Sequence, residues 1–106
     1  MLTTGYSLLT TFNMVVGILE LTLTIPDAMT LKDKRRAIKS LKDRLSHKFN
    51  ISVAEVDSLD AMRTAVIGVS MVSNEQSHVN GALDQVVNYV RNDPNVILDE
   101  YEMEFV

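Results

Sequence analysis

Ile51 to Ser73 reads ISVAEVDSLDAMRTAVIGVSMVS, two β-branched runs on either side of a short polar interruption around Asp60. Side chains branched at Cβ fit a pleated surface better than a helix, where they crowd the preceding turn. ISVAEVDS and TAVIGVSMVS therefore read as strands, and the short segment between them makes the pair an antiparallel hairpin. In the second run Val66, Ile67, Val69 and Val72 occupy both parities, which suits a central strand. Gly68 within that run marks a bulge or a close approach of backbone.

Working toward the amino terminus, Thr30 is followed three places later by Asp33, a helix start with an acidic partner for the cap. From there Leu31, Ile38, Leu41, Leu45 and Phe49 fall on one stripe of a helix, the face that would cover a sheet, and Asn50 offers a stop. Before it, Met14 to Ile25 alternates. Val15, Leu19, Leu21, Leu23 and Ile25 share one parity, with Glu20, Thr22 and Thr24 on the other, as in a half-buried strand. Pro26 ends it because proline has no N–H for the ladder.

Toward the carboxyl terminus, Ser73 or Asn74 can cap a second helix, with Gln76 in the reciprocal position for Ser73. Its buried stripe is Val79, Ala82, Leu83, Val86, Val87 and Val90. Gly81 costs this helix up to about 1 kcal/mol relative to alanine, so close packing on the sheet is expected there. Pro94 stops the helix. Val96 to Val106 alternates again, with Tyr101, Met103 and Phe105 inward and Glu100, Glu102 and Glu104 outward.

The order is strand, helix, strand, strand, helix, strand. Right-handed crossovers place both helices on one face of a four-stranded antiparallel sheet, an α+β ferredoxin-like βαββαβ sandwich whose other face is open. A chain of 106 residues with 46% hydrophobic content suits one such domain, read here as residues 14–106. Residues 1–13, MLTTGYSLLTTFN, carry no charge and read as a poorly ordered leader, with Met14 a candidate natural start.

Charge is unevenly placed. Of ten Lys and Arg residues, eight lie in the first helix, namely Lys32, Lys34, Arg35, Arg36, Lys39, Lys42, Arg44 and Lys48. Cations near a helix start oppose its dipole by about 0.3 to 1 kcal/mol each, so stability alone would not place them there. Unpaired N–H groups and basic side chains aimed at one ligand make a phosphate site, and Lys32, Lys34, Arg35, Arg36 and Lys39 are the candidate residues. A solvated helical face is the competing explanation, since Lys and Arg are good helix formers. The net charge of −4 thus hides a bipolar molecule. Glu20, Glu55, Asp57, Glu100, Glu102 and Glu104 sit on strands, and several project from the open sheet face, which repels nucleic acid. RTAVIGVSMV also lacks the aromatics on which the RNA-recognition fold stacks bases, so RNA is expected on the first helix.

No catalytic constellation is visible. Asp57 with Asp60, or Glu100 with Glu102, lacks the neighbouring His or Lys that would set one carboxyl apart as an acid. There is no Gly-rich phosphate loop, and no cofactor is implied. The absence of cysteine excludes thiolate-ligated metals and thiol nucleophiles and fits a reducing, cytoplasmic setting. His47 and His78 fall on different helices, which leaves no metal site. No run approaches the roughly 18 apolar residues of a membrane span, and the first helix's apolar stripe is needed by the sheet, so no membrane role is expected.

TLKDKRRAIKSLKDRLSHKFNISVAEVDSLD, Thr30 to Asp60, followed by RTAVIGVSMVSNE, resembles the YlxP-like family of small bacterial proteins of unknown function. The similarity runs from Met14 to Val106. It implies a ferredoxin-like fold, no established enzyme activity and, from the translation-related genes that neighbour family members, an accessory role near the ribosome. Relatives often carry an aromatic and a glutamine between the middle strands, whereas this chain has LDAMRTA, with Met62 and Arg63 there.

Two functions are therefore expected to compete. One is a non-catalytic factor that binds ribosomal RNA or a ribosomal subunit through its basic helix. Five phosphate contacts would give a salt slope of about −3.5 on a single strand. The other is an interaction or homodimerisation module that uses the open sheet face, with Val16 and Ile18 at the interface.

Overall fold

The computed structural model describes residues 13–106, so the leader assigned to residues 1–13 lies, apart from Asn13, outside the described residues. Along the chain run β1 (Val15–Thr24), α1 (Leu31–Lys48), β2 (Ser52–Asp57), β3 (Thr64–Ser73), α2 (Gln76–Arg91) and β4 (Ile97–Phe105). The strands form one four-stranded antiparallel sheet in the order β2-β3-β1-β4. This is the expected ferredoxin-like βαββαβ sandwich, and β3 occupies the interior position that its two-parity apolar pattern required.

Period-two alternation decides which face is covered. On β1 the odd residues Leu19, Leu21 and Leu23 are fully buried, and the register sets Leu19 opposite Val69 and Leu21 opposite Ile67. Onto this layer α1 places Ile38, Leu41 and Leu45, and α2 places Val79, Leu83, Val86 and Val90. Each such side chain removed from water contributes about 1.5 to 3 kcal/mol, which is why two amphipathic helices suffice for so small a core. α1 lies over β2, and α2 lies over β1, β3 and β4.

The glycines divide by what surrounds them. A Cβ on Gly17 would collide with Val79 Cγ1 and lie 2.8 Å from Leu83 Cδ1, so α2 sits directly on β1 there. Gly68 meets a close approach of a side chain and not of backbone, since a Cβ would lie 2.9 Å from Val56 Cγ1 with the Ala54 carbonyl oxygen at 3.9 Å, beside a register shift in β2 between Glu55 and Asp57. Gly81 does not. A Cβ there would meet nothing within 4 Å, so close packing is not its explanation, and nothing in the structure supplies another.

The start of α2 also differs from expectation. Ser73 is still in β3, paired with Val15, and the residue before the helix is Glu75, whose side chain makes no capping bond. Extending the ladder to Ser73 uses the residue that would otherwise cap. The link between β2 and β3 turns at Ser58, whose φ of 61° is left-handed. Such a conformation costs a non-glycine residue about 1 kcal/mol or more, and it is held by bonds to both its peptide groups. Asp57 Oδ1 accepts from Ser58 N–H at 2.7 Å, and the Ser58 carbonyl accepts from Ala61 N–H at 3.0 Å and from Lys34 Nζ at 2.6 Å.

Candidate nucleic-acid interface

α1 starts where its sequence says it should. Thr30 Oγ1 accepts from Asp33 N–H at 3.1 Å, and Asp33 Oδ2 accepts from Met29 N–H at 3.1 Å, so two otherwise orphaned donors are satisfied. Asp33 also places one negative charge in the first turn, which offsets part of the dipole's conflict with the cations around it. Arg63 braces the segment leading in. Its Nε donates to Ala28 O at 2.9 Å, its Nη2 lies 3.7 Å from Met29 Sδ, and its carbonyl accepts from Ile25 N–H at 2.8 Å.

The basic set does not stay together. Lys34 is wholly buried, its ammonium 2.7 Å from Glu55 Oε2 and donating to the carbonyls of Ser58 and Leu59 at 2.6 and 3.4 Å. Its inclusion among the phosphate-gripping residues is therefore corrected. Leu31, Lys34, Ile38, Leu41 and Leu45 follow the three-and-four spacing of a single stripe, so position 34 faces the sheet whatever residue occupies it. Lysine is tolerated because its stem packs in the core and its ammonium meets a carboxylate and two backbone carbonyls.

Lys39 is exposed but paired, with Nζ 2.8 Å from Asp43 Oδ2 one turn along. That hydrogen bond is the main cause holding Lys39 above, and Asp43 below, their ordinary values. Lys32, Arg35 and Arg36 are exposed, and no carboxylate among the described residues lies within ion-pairing distance of them. They sit on the outer face of the molecule, opposite the open side of the sheet. Met29, Leu59 and Met62 are exposed apolar side chains at the same end.

At the other end of α1 is a cluster that sequence patterning passed over. Arg44 Nη1 bonds Asp93 Oδ2 at 2.7 Å and the Tyr89 hydroxyl at 3.3 Å, while Asp93, nearly inaccessible, also accepts from Asn95 N–H at 2.8 Å through Oδ1. The bond to Asp93 is the principal cause raising the Arg44 guanidinium above its already high value. Phe49 and Tyr89 meet edge to face at 6.1 Å, with Lys48 Nζ 5.9 and 5.8 Å from their ring centroids. Arg44, Lys48, Phe49, Asn88, Tyr89 and Asn92 line a surface groove of about 430 Å³. The signals available were the Asp-Pro-Asn turn after α2 and a tyrosine set beside, not on, its valine stripe.

Val16 and Ile18 project from the open sheet face, Ile18 with 41% of its surface exposed. His47 lies on α1 and His78 on α2. No helix among the described residues is long and apolar enough to cross a membrane.

A family profile described as "Protein of unknown function (DUF503)" matches residues 16–103. The uncharacterized protein YlxP of Bacillus subtilis (strain 168) is 28% identical over 82 residues, spanning 77% of this chain and 89% of that protein. Among solved structures, the de novo designed protein Foldit4 superposes with a TM-score of 0.51 at 14% identity, covering 88% of this chain and 96% of the design. The 30S ribosomal protein S6 of Thermotoga maritima gives 0.47 at 10% identity, covering 86% and 88%. The designed protein speaks to the fold alone, and the S6 superposition carries no weight for function.

Proposed function

We propose, for a chain that belongs to the DUF503 family of proteins of unknown function, the role of a non-catalytic factor that grips the phosphate backbone of RNA, ribosomal RNA foremost. The observation that supports this is the set Lys32, Arg35 and Arg36. These are three exposed cations without ion-pair partners among the described residues, in a chain whose net charge is −4 and which carries Glu20, Glu100, Glu102 and Glu104 on the open face of the sheet, on the opposite side. A solvated surface needs no such segregation, whereas a polyanion must approach from one side only. From Arg36 to Lys48 the helix runs about 18 Å at 1.5 Å per residue, and the Tyr89 ring at its far end gives a strand somewhere to rest a base.

The test is fluorescence anisotropy of a labelled single-stranded fragment of small-subunit ribosomal RNA, titrated with the whole chain across a salt series. Three phosphate contacts give a log–log slope of about −2, smaller than five contacts would produce because Lys34 is buried and Lys39 is engaged. Arg35→Glu with Arg36→Glu should abolish both this binding and co-sedimentation with small ribosomal subunits. A slope near zero, or undiminished binding by that double variant, overturns the proposal.

A further inference from the structure

The open face of the sheet has two halves. On β1, β2 and β3, Ile18, Ala54 and Val56 surround a shallow hollow of about 340 Å³ at Gly68, and Val72 lies on the same face opposite Val16, with Val56 and Val72 exposed over 52% and 60% of their surface. On β1 and β4 the register sets Glu20 directly opposite Glu102, with Glu104 opposite Ile18 and Glu100 opposite Thr22. No lysine or arginine occurs among the described residues of this face, and none of these four glutamates is ion-paired.

Like charges opposed across a ladder destabilise a sheet, and exposed apolar side chains gain nothing while they stay in water. Both features become favourable together against a surface that is apolar in the middle and cationic along one side. We infer that this face docks a basic amphipathic segment of a partner protein, its apolar stripe over Ile18, Val56 and Val72 and its Lys or Arg side chains against Glu20, Glu100 and Glu102. The inference is independent of the RNA role assigned to α1.

Other occupants match only half of the face. A nucleic acid is repelled by the glutamates. A second copy packed sheet to sheet covers the valines and leaves the acids without counter-charges. A second copy presenting α1 brings cations, but the apolar stripe of that helix is already spent on its own core, where Ile38, Leu41 and Leu45 are buried. A basic amphipathic segment supplies both groups at once.

The probe is a synthetic amphipathic peptide with Leu along one side and Lys beside it, added to the isotope-labelled full chain and followed by amide chemical shifts. Saturable shifts centred on Ile18, Val56, Val72 and Glu102 are expected, with a Kd of about 10 to 100 μM at low salt. Glu20→Gln and Glu102→Gln should each weaken binding about two- to five-fold, as rim charges do, and Ile18→Glu by about tenfold or more. Glu20→Gln and Glu102→Gln relieve a like-charge pair and should hold or slightly raise the melting temperature, Ile18→Glu, opposite Glu104, should lower it only slightly, and RNA affinity should not fall with any of them. No saturable shift up to about 1 mM peptide, shifts centred on α1, or equal binding of a peptide with Glu in place of Lys overturns the inference. Sedimentation showing the chain alone as a dimer that Ile18→Glu dissociates also overturns it, in favour of a second copy.

Discussion

Lys34→Met removes an ammonium and keeps most of an aliphatic stem, so it isolates what the buried charge contributes. In the parent that ammonium meets Glu55 Oε2 at 2.7 Å and the carbonyls of Ser58 and Leu59 at 2.6 and 3.4 Å. Removing one partner of a buried pair typically costs about 3 to 5 kcal/mol, because the other charge stays behind. Glu55 keeps 15% of its side chain exposed and can recover some water, which puts the expected loss at about 3 kcal/mol. With a urea m-value of about 1 to 3 kcal/mol/M, the midpoint followed by far-UV circular dichroism should fall by about 1 to 3 M. Lys34→Met with Glu55→Leu replaces the pair by apolar groups and should recover most of that loss, a coupling of about 2 kcal/mol. A single variant whose midpoint stays within about 0.3 M of the parent, or a double variant no more stable than the single, would refute the reasoning. Folded Lys34→Met should also bind RNA with unchanged affinity and salt slope. Loss of binding in the folded variant would return Lys34 to the interface.

Gly17→Ala drives a methyl into Val79 and Leu83 and should cost about 1 to 3 kcal/mol, whereas Gly81→Ala meets only open space and should stabilise α2 by about 0.5 to 1 kcal/mol. Thermal melts separate the two, since each kcal/mol moves Tm by about 4 to 8 °C in a domain of this size, and shifts of the same sign would contradict the packing described. Asp43→Asn frees Lys39 for phosphate and should steepen the salt slope of RNA binding by about 0.7 while raising affinity. The same variant has a defined pH signature. Asp43 lies below its ordinary 3.8, so its contribution is present above that value and is lost as pH falls through the lower one. Lys39 lies above its ordinary 10.5, so its contribution is complete below that value and is lost as pH rises through the higher one. The small Tm difference between parent and variant should therefore stay flat from about pH 5 to 9 and shrink below about pH 4.

The fold was legible because burial on one face writes itself as period. Leu19, Leu21 and Leu23 announce a strand, and Ile38, Leu41 and Leu45 announce a helix, with no knowledge of what each packs against. The candidate site was legible only in part, because charge type does not report environment. Lys34 was counted with Arg35 and Arg36 by composition, although its spacing from Leu31 and Ile38 placed it inward. Pairing was harder still. Glu55 lies on the inward parity of β2, opposite Ile67, but its alignment with Lys34 depends on where α1 crosses the sheet, which no local pattern states. The Arg44–Asp93 tie joins residues 49 apart in sequence, and Gly17 records how closely α2 approaches β1. These are tertiary facts, and they were missed for that reason.

Segregation of charge also has an energetic reading. Cross-strand neighbours sit about 4.5 to 5.5 Å apart, so placing Glu20 opposite Glu102 costs a few tenths to 1 kcal/mol, and moving any lysine of α1 to that face would remove the penalty. The chain instead keeps Lys32, Arg35 and Arg36 on α1 and Glu20, Glu100, Glu102 and Glu104 on the sheet, at opposite sides of a domain only two layers thick. That separation lowers the isolated domain's stability, and under the two proposals above it would suit each side to a different class of partner. A polyanion on α1 would neutralise Lys32, Arg35 and Arg36 without touching the sheet, and a cationic segment on the sheet would neutralise Glu20 and Glu102 without competing for α1. If both sides are filled, the repulsion on each is relieved locally and the two events should be close to additive, since they share no side chain. Peptide binding that displaced RNA would mean the two ligands contend for one surface, and the division of the molecule into two electrostatic halves would lose its functional meaning.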